Sequence, residues 1–323
     1  MPFAMLSNAQ IDRFHTEGFL IVENLLDAAL VDRLAARVEP LFNGEFETGV
    51  YPDEWYWNPR LGLPSASGQM SNVWKSDRTL ASVVLSEKIG EICARLGGWS
   101  GTRLLSDSLW RKPFGASETT HHQDSMYSFY HQPQEIVVCW IALSHAVPQG
   151  SSIEYVRVRI AGRCRKRWRN FTPEAAAIAP DMEQAAKQAG IDRPDVVQLA
   201  LEPGSCAFHH GHMWHGSGKN LLPNSIRRSL VIAHIPAESQ FKPTGAYVEG
   251  GYLAGRYKRF GDDTMDESFF PIVHQQTAID RRFSMPTAAM RSGQWFPDES
   301  DRTFCGSDRA IPRAGISGAR EIP

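Results

Sequence analysis

No apolar run in the chain approaches the roughly 18 residues that a membrane-spanning helix needs. The opening Met1-Pro2-Phe3-Ala4 lacks the charged and apolar regions of a secretory signal. There is no fixed-period repeat, which excludes solenoids and propellers. Charge of one sign is missing too: 34 basic against 36 acidic side chains leave a net charge of −2, so no global field favours nucleic acid. Cysteine is sparse. Cys93, Cys139, Cys164, Cys206 and Cys305 are odd in number and form no Cys-x-x-Cys pair, which argues for reduced thiols and a cytoplasmic protein. What remains is an ordinary globular composition, 42% hydrophobic and 22% charged, over 323 residues.

Local signals place helices first. Ser7 and Gln10 have the spacing of a capping box, and Ile11, Phe14 and His15 follow at helical spacing until Gly18. Phe19 to Val22 reads as a short buried strand. Asp27 caps a second helix, whose stripe is Leu30, Val31, Leu34, Val38, Leu41 and Phe42. Residues 43 to 76 form an aromatic loop with Tyr51, Trp55, Tyr56, Trp57 and Trp74, either a pocket wall or a staple on the core. A third helix fits Leu80 to Leu96, ended by Gly97-Gly98.

Strands then take over: Leu104 to Trp110, His121 to Phe129, Ile136 to Leu143, Ile153 to Val156, Val196 to Leu199, Ser205 to Phe208 and Arg228 to Ala233. A helical insert spans residues 172 to 190. The order predicts a mainly β protein with flanking helices, its strands closed as a cupin-like jelly roll, the double-stranded β-helix. Residues 1 to 100 are expected to pack on the barrel, 101 to 236 to form the catalytic core, and 237 to 323 to form an extension whose end is poorly ordered.

The chemistry centres on His121-His122-Gln123-Asp124. Along an extended strand His122 and Asp124 share one face. A second histidine from a distant strand would complete a 2-His-1-carboxylate triad, which holds Fe(II) and leaves positions open for oxygen and a cosubstrate. Four histidines compete for that role, His209, His210, His212 and His215. His215 is favoured because Gly216-Ser217-Gly218 and Arg227 follow it in suitable order. His121 alternates to the opposite face and reads as structural. Arg227 and Arg228 open the last apolar strand, and only one of two adjacent strand residues points inward. A guanidinium there suits the far carboxylate of a dicarboxylate.

His122-Gln123-Asp124, Trp140-Ile141-Ala142-Leu143, Glu154-Tyr155-Val156, Pro203-Gly204-Ser205 and His215-Gly216-Ser217-Gly218-x-Asn220 with Arg227-Arg228 resemble the phytanoyl-CoA dioxygenase family. The likeness covers roughly residues 7 to 236. It implies an Fe(II)- and 2-oxoglutarate-dependent oxygenase on a double-stranded β-helix, using O2 to oxidise a small molecule of specialised metabolism and releasing succinate and CO2. It further implies His122, Asp124 and His215 as iron ligands, Arg227 as the 2-oxoglutarate clamp, Ser217 as its assistant and Trp140 beside the cosubstrate. Halogenating relatives carry a small residue in place of the carboxylate, so Asp124 favours hydroxylation. Two departures lie near the expected pocket mouth. Val156 runs into Arg157 where relatives turn through Pro-Gly-Ser-His, and Ser144-His145 stands where relatives have an acidic residue.

Ser106, Ser108 and Trp110 alternate on one strand and, with Tyr127, are either substrate contacts or core. The run from Arg157 to Arg169, seven basic residues in thirteen, is a solvated face or an anion site near the entrance. The competing readings are a zinc-binding cupin-type hydrolase that uses the same histidines and a non-catalytic binding protein on the same fold; separately, His210 and His212 offer a same-face pair for a zinc site of their own. Neither a nucleic acid nor a membrane is expected as partner.

Overall fold

A computed structural model describes residues 6–157, 194–243 and 251–276. The insert at 172 to 190, the basic run beyond Arg157, Cys164 and the chain beyond residue 276 lie outside the described residues.

In chain order the elements are α1 (Asn8–Glu17), β1 (Phe19–Val22), α2 (Ala28–Phe42), β2 (Glu54–Trp55), β3 (Gly68–Ser71), α3 (Arg78–Val84), α4 (Glu87–Gly97) and β4 (Gly101–Pro113). Then come β5 (Thr119–His122), β6 (His131–Gln132), β7 (Val137–Ala142), β8 (Glu154–Arg157), β9 (Asp195–Gln198), β10 (Cys206–His210) and β11 (His215–Ser217). The last are β12 (Ile226–Pro236), β13 (Gln240–Phe241), α5 (Gly251–Tyr257) and β14 (Ile272–Gln275). The major sheet runs β1-β10-β7-β12-β4-β3-β2 with β14 also on β4, and the minor sheet runs β5-β11-β8-β9. All pairings are antiparallel. This is the jelly-roll arrangement expected from the sequence, with strands from both ends of the chain added to the major sheet.

The capping box forms as read, Ser7 Oγ accepting from the Gln10 amide and the Gln10 side chain accepting from the Ser7 amide. One expected helix divides in two. Ser86 ends α3's turn and caps α4 by accepting from the Ile89 amide, so the stretch from Leu80 to Leu96 is not continuous.

Strand parity separates two faces of the major sheet. Leu109, Val137, Cys139, Ile141, Cys206, Phe208, Leu230 and Ile232 point outward into a core shared with Phe14, Leu34, Val38, Leu41, Leu80, Ile89 and Ile92 of the helices. The alternate residues point inward, where Trp140, Ala142 and Ala207 meet Tyr155 of the minor sheet in the barrel interior. A third apolar group joins α5 to Leu105, Val138 and Ile235.

Gly204 marks the entry to β10. Its φ is +87°, and a Cβ there would lie 2.7 Å from the Leu26 carbonyl oxygen. Gly204→Ala should therefore combine left-handed strain with a backbone clash, costing about 1–3 kcal/mol. The check is a thermal melt, in which the variant unfolds several degrees below wild type.

Candidate metal centre and carboxylate site

His122 is the last residue of β5. Gln123 remains extended (φ −119°, ψ 130°), and Asp124 then begins a 3-10 turn through Tyr127. The expected strand from His121 to Phe129 thus stops early, because the chain folds back with the Ser125 amide donating to the Gly211 carbonyl. Alternation persists through Gln123, so His122 and Asp124 still face the same way. His215 opens β11 directly opposite His122. The strands approach closely there: a Cβ on Gly216 would lie 2.7 Å from the Thr119 carbonyl oxygen.

The two imidazole centroids are 4.2 Å apart. Asp124 Oδ1 lies 3.7 Å from Nε2 of His122 and 3.7 Å from Nε2 of His215. The ligand atoms of all three lie within 4.8 Å of one another, the single such group of histidine, cysteine or acidic residues among the described residues. Nδ1 of His122 donates to the Thr120 carbonyl at 2.7 Å, and Nδ1 of His215 to the Met213 carbonyl at 2.9 Å. A carbonyl only accepts, so each Nδ1 carries a proton, and in the neutral rings Nε2 is then the lone-pair nitrogen facing the carboxylate. Burial holds His215 well below the usual histidine range, which keeps its ring neutral. Burial pushes the Asp124 carboxyl up, and the hydrogen bond that His209 donates to Oδ2 favours its ionised form. Three acceptors converge with no proton between them. That donor set, two imidazoles and one carboxylate with open sides, fits a ferrous ion.

A second cluster lies on the major sheet. Lys112 on β4 and Arg227 on β12 are cross-strand partners, and both side chains are buried. Lys112 Nζ donates to Thr119 Oγ1 at 3.1 Å and to Ser217 Oγ at 2.9 Å. Arg227 donates through Nε to the Ser151 carbonyl (3.0 Å) and through Nη1 to Ser229 Oγ (2.6 Å), and its Cζ sits 5.5 Å from the Trp140 ring centre. Burial pushes Arg227 down to about 9. Burial, then the adjacent Arg227, pushes Lys112 well below the usual lysine range, against weaker opposing fields from Glu118 and Glu154. Among the described residues, neither cation has a carboxylate at ion-pair distance. Two buried cations beside two hydroxyls form a receptor for an anion.

Arg228 faces the opposite way. Its Nη2 lies 2.9 Å from Glu39 Oε1 on α2, and Arg111 Nε lies 3.5 Å from the same carboxylate. His121 also points away from the triad, toward Glu154 Oε1 at 3.3 Å. His210 lies 3.4 Å from Glu135, and His212 Nδ1 hydrogen-bonds Ser125 Oγ. These two rings are 5.3 Å apart and, among the described residues, do not join a third ligand. Tyr127 packs edge-on to His122 at 5.8 Å and is 46% exposed. Ser106, Ser108 and Trp110 are half-buried on the Lys112 face of β4, with Gln69 Nε2 donating to Ser108 Oγ at 3.4 Å.

The sequence reading assigned Lys112 no role, and it offered His209 only as a rival to His215 for the metal. Lys112 was legible by parity, since it continues the 106, 108, 110 series. His209 Nε2 lies 3.0 Å from Asp124 Oδ2, a contact across distant strands that no local pattern reveals.

Residues 14–229 match the sequence profile of the family described as Phytanoyl-CoA dioxygenase (PhyH). No curated protein sequence matches the chain. Among solved structures, it is similar to the epimerase SnoN from nogalamycin biosynthesis, crystallised with Fe3+, alpha ketoglutarate and nogalamycin RO. That match has 19% identity over 82% of this chain and 97% of SnoN, at a TM-score of 0.62. The non-heme alpha ketoglutarate dependent carbocyclase SnoK from the same biosynthesis matches at 19% identity over 83% of this chain and 96% of its own, with a TM-score of 0.62. EctD from S. alaskensis matches at 15% identity over 75% and 81%, with a TM-score of 0.58.

Proposed function

Because the chain belongs to the phytanoyl-CoA dioxygenase family, whose members are Fe(II)- and 2-oxoglutarate-dependent oxygenases, we propose that His122, Asp124 and His215 hold the iron and that Lys112 and Arg227 hold the far carboxylate of 2-oxoglutarate. The substrate is a small molecule, and the reaction is hydroxylation of a C–H bond in specialised metabolism. The observation that carries this reading is the convergence of two Nε2 lone pairs and one carboxylate oxygen, with both Nδ1 protons turned away to carbonyls. Such a cluster repels itself unless a cation sits within it.

When bound, a ferrous ion supplies oxygen activation coupled to decarboxylation of the cosubstrate. The protein's part is placement. His122 and His215 present neutral nitrogens, and Asp124 presents charge. Lys112, Arg227 and the hydroxyls of Ser217 and Thr119 fix the cosubstrate's distal end by charge-assisted hydrogen bonds. Trp140, stacked near Arg227, closes that pocket and excludes water. Tyr127 at the rim, with Ser106, Ser108 and Trp110 along β4, forms the wall on which the substrate rests.

Asp124 supports hydroxylation over halide transfer. The similar structures include an enzyme named as an epimerase and one named as a carbocyclase. The free, buried Cys93, Cys139 and Cys206 suit a reducing cytoplasm. No helix among the described residues is long and apolar enough to cross a membrane.

Purified protein given Fe(II), 2-oxoglutarate, ascorbate and O2 should release succinate slowly, and faster when its substrate is supplied from a metabolite pool. Tight zinc binding with no succinate under any condition would overturn the oxygenase reading in favour of a zinc hydrolase.

A further inference from the structure

We propose that His209 is a positioning residue that holds Asp124 as a one-oxygen metal ligand, and that Tyr155 fixes the His209 tautomer that allows this. The inference rests on the metal reading above.

The two oxygens of Asp124 have different surroundings. Oδ1 faces His122 and His215, whereas Oδ2 is 3.0 Å from Nε2 of His209. An ionised carboxylate only accepts, so the proton of that hydrogen bond belongs to His209 Nε2. On the far side of the ring, Nδ1 lies 2.9 Å from the Tyr155 hydroxyl. A phenol buried this deeply keeps its proton, so Tyr155 O–H donates to Nδ1. The chain of donors then runs one way, from Tyr155 to His209 to Asp124.

Both members are fixed by packing. Tyr155 is fully buried and stacks on Phe19 with centroids 4.6 Å apart. His209 is 1% exposed, and its ring lies 4.4 Å from that of His215. Strand parity sets the arrangement. His209 is inward on β10, and Tyr155 on β8 is the Cα partner of His215 on β11. The three imidazoles near Asp124 therefore divide their work. Two offer lone pairs toward Oδ1, and the third offers a proton to Oδ2. With Oδ2 engaged, Asp124 has a single oxygen for a metal, which leaves room for cosubstrate and oxygen.

The test uses Co(II) as the probe metal, titrated by calorimetry and followed by its d–d absorption. His209→Leu is expected to weaken Co(II) binding by about 10–100-fold and to alter the d–d band as Oδ2 is released. His209→Gln, whose Nε2 amide can donate near the same point, is expected to bind within several-fold of wild type. Tyr155→Phe, which removes the tautomer lock alone, should fall between. Thermal melts of the metal-free proteins identify variants that fold. Binding by folded His209→Leu within about twofold of wild type, with an unchanged band, would overturn the inference. So would folded His209→Gln binding as poorly as the leucine variant. If His209→Leu fails to fold, the glutamine and Tyr155→Phe variants decide. The metal reading fails differently: wild type itself would take up no Co(II), or His122→Ala would bind as well as wild type.

Discussion

Asp124→Ala should abolish 2-oxoglutarate-dependent succinate formation while leaving a folded protein. The carboxylate is the only charged member of the triad, and its loss leaves two neutral imidazoles to hold a divalent ion. Removing a group that merely orients a ligand costs roughly 10–100-fold in metal affinity, so removing the anionic ligand itself should cost more. The fold should tolerate the change, because the principal partner lost is the His209 N–H, one buried hydrogen bond worth about 1–3 kcal/mol when left unmade. Bound iron measured after desalting, together with succinate release, checks this. A variant that keeps its iron and its turnover would remove Asp124 from the centre. Unchanged ligand binding and cellular role would instead favour a non-catalytic protein.

Lys112→Met should have opposite effects on stability and on cosubstrate binding. In the free protein the lysine amine is buried next to a buried guanidinium, which disfavours its charged form, with two hydroxyls as its partners. A methionine of similar volume removes that desolvation cost, so the metal-free variant should melt higher than wild type. On the proposed reading, a bound dicarboxylate is what would make the lysine favourable. Removing one partner from a buried charge pair costs about 3–5 kcal/mol, which corresponds to a loss of at least 100-fold in 2-oxoglutarate affinity. Wild type should gain thermal stability on adding 2-oxoglutarate, and the variant should gain little.

The pH dependence follows with a definite sign. Burial and Arg227 lower the proton affinity of Lys112 in the free protein, and an incoming carboxylate raises it again. Between those two values binding takes up a proton, so affinity should fall as pH rises through that window. Lys112→Met should flatten the slope, as calorimetry in buffers of differing ionisation heat would show. A variant that binds 2-oxoglutarate as tightly as wild type would remove Lys112 from the site.

Much of this was readable before any coordinates. The capping box at Ser7, the α2 stripe and the buried β7 run are local signals, decided by side chains within a few residues of one another. His122 and Asp124 followed from period-two alternation. The break at Ser86 was missed because the apolar spacing continues across it while a single hydroxyl caps the second helix. The early end of β5 was missed because Gly211 and Gln123 settle it through contacts between separate strands. Lys112 stands immediately before Pro113 and was given no role from the sequence, although it continues the alternation of residues 106, 108 and 110. Its inward direction is fixed by the pairing of β4 with β12, where it meets Arg227.

The triad belongs to the minor sheet and its following turn, whereas Lys112 and Arg227 belong to the major sheet. A 2-oxoglutarate molecule gripped at both ends would therefore act as a strut across the gap of the sandwich. Already Lys112 reaches from one leaf to the other at Thr119 and Ser217. Loosening of the leaves would pull the two grips apart together, so the cosubstrate should slow amide exchange in β5 and β11 even though the proposed cationic grip on its distal end comes from β4 and β12.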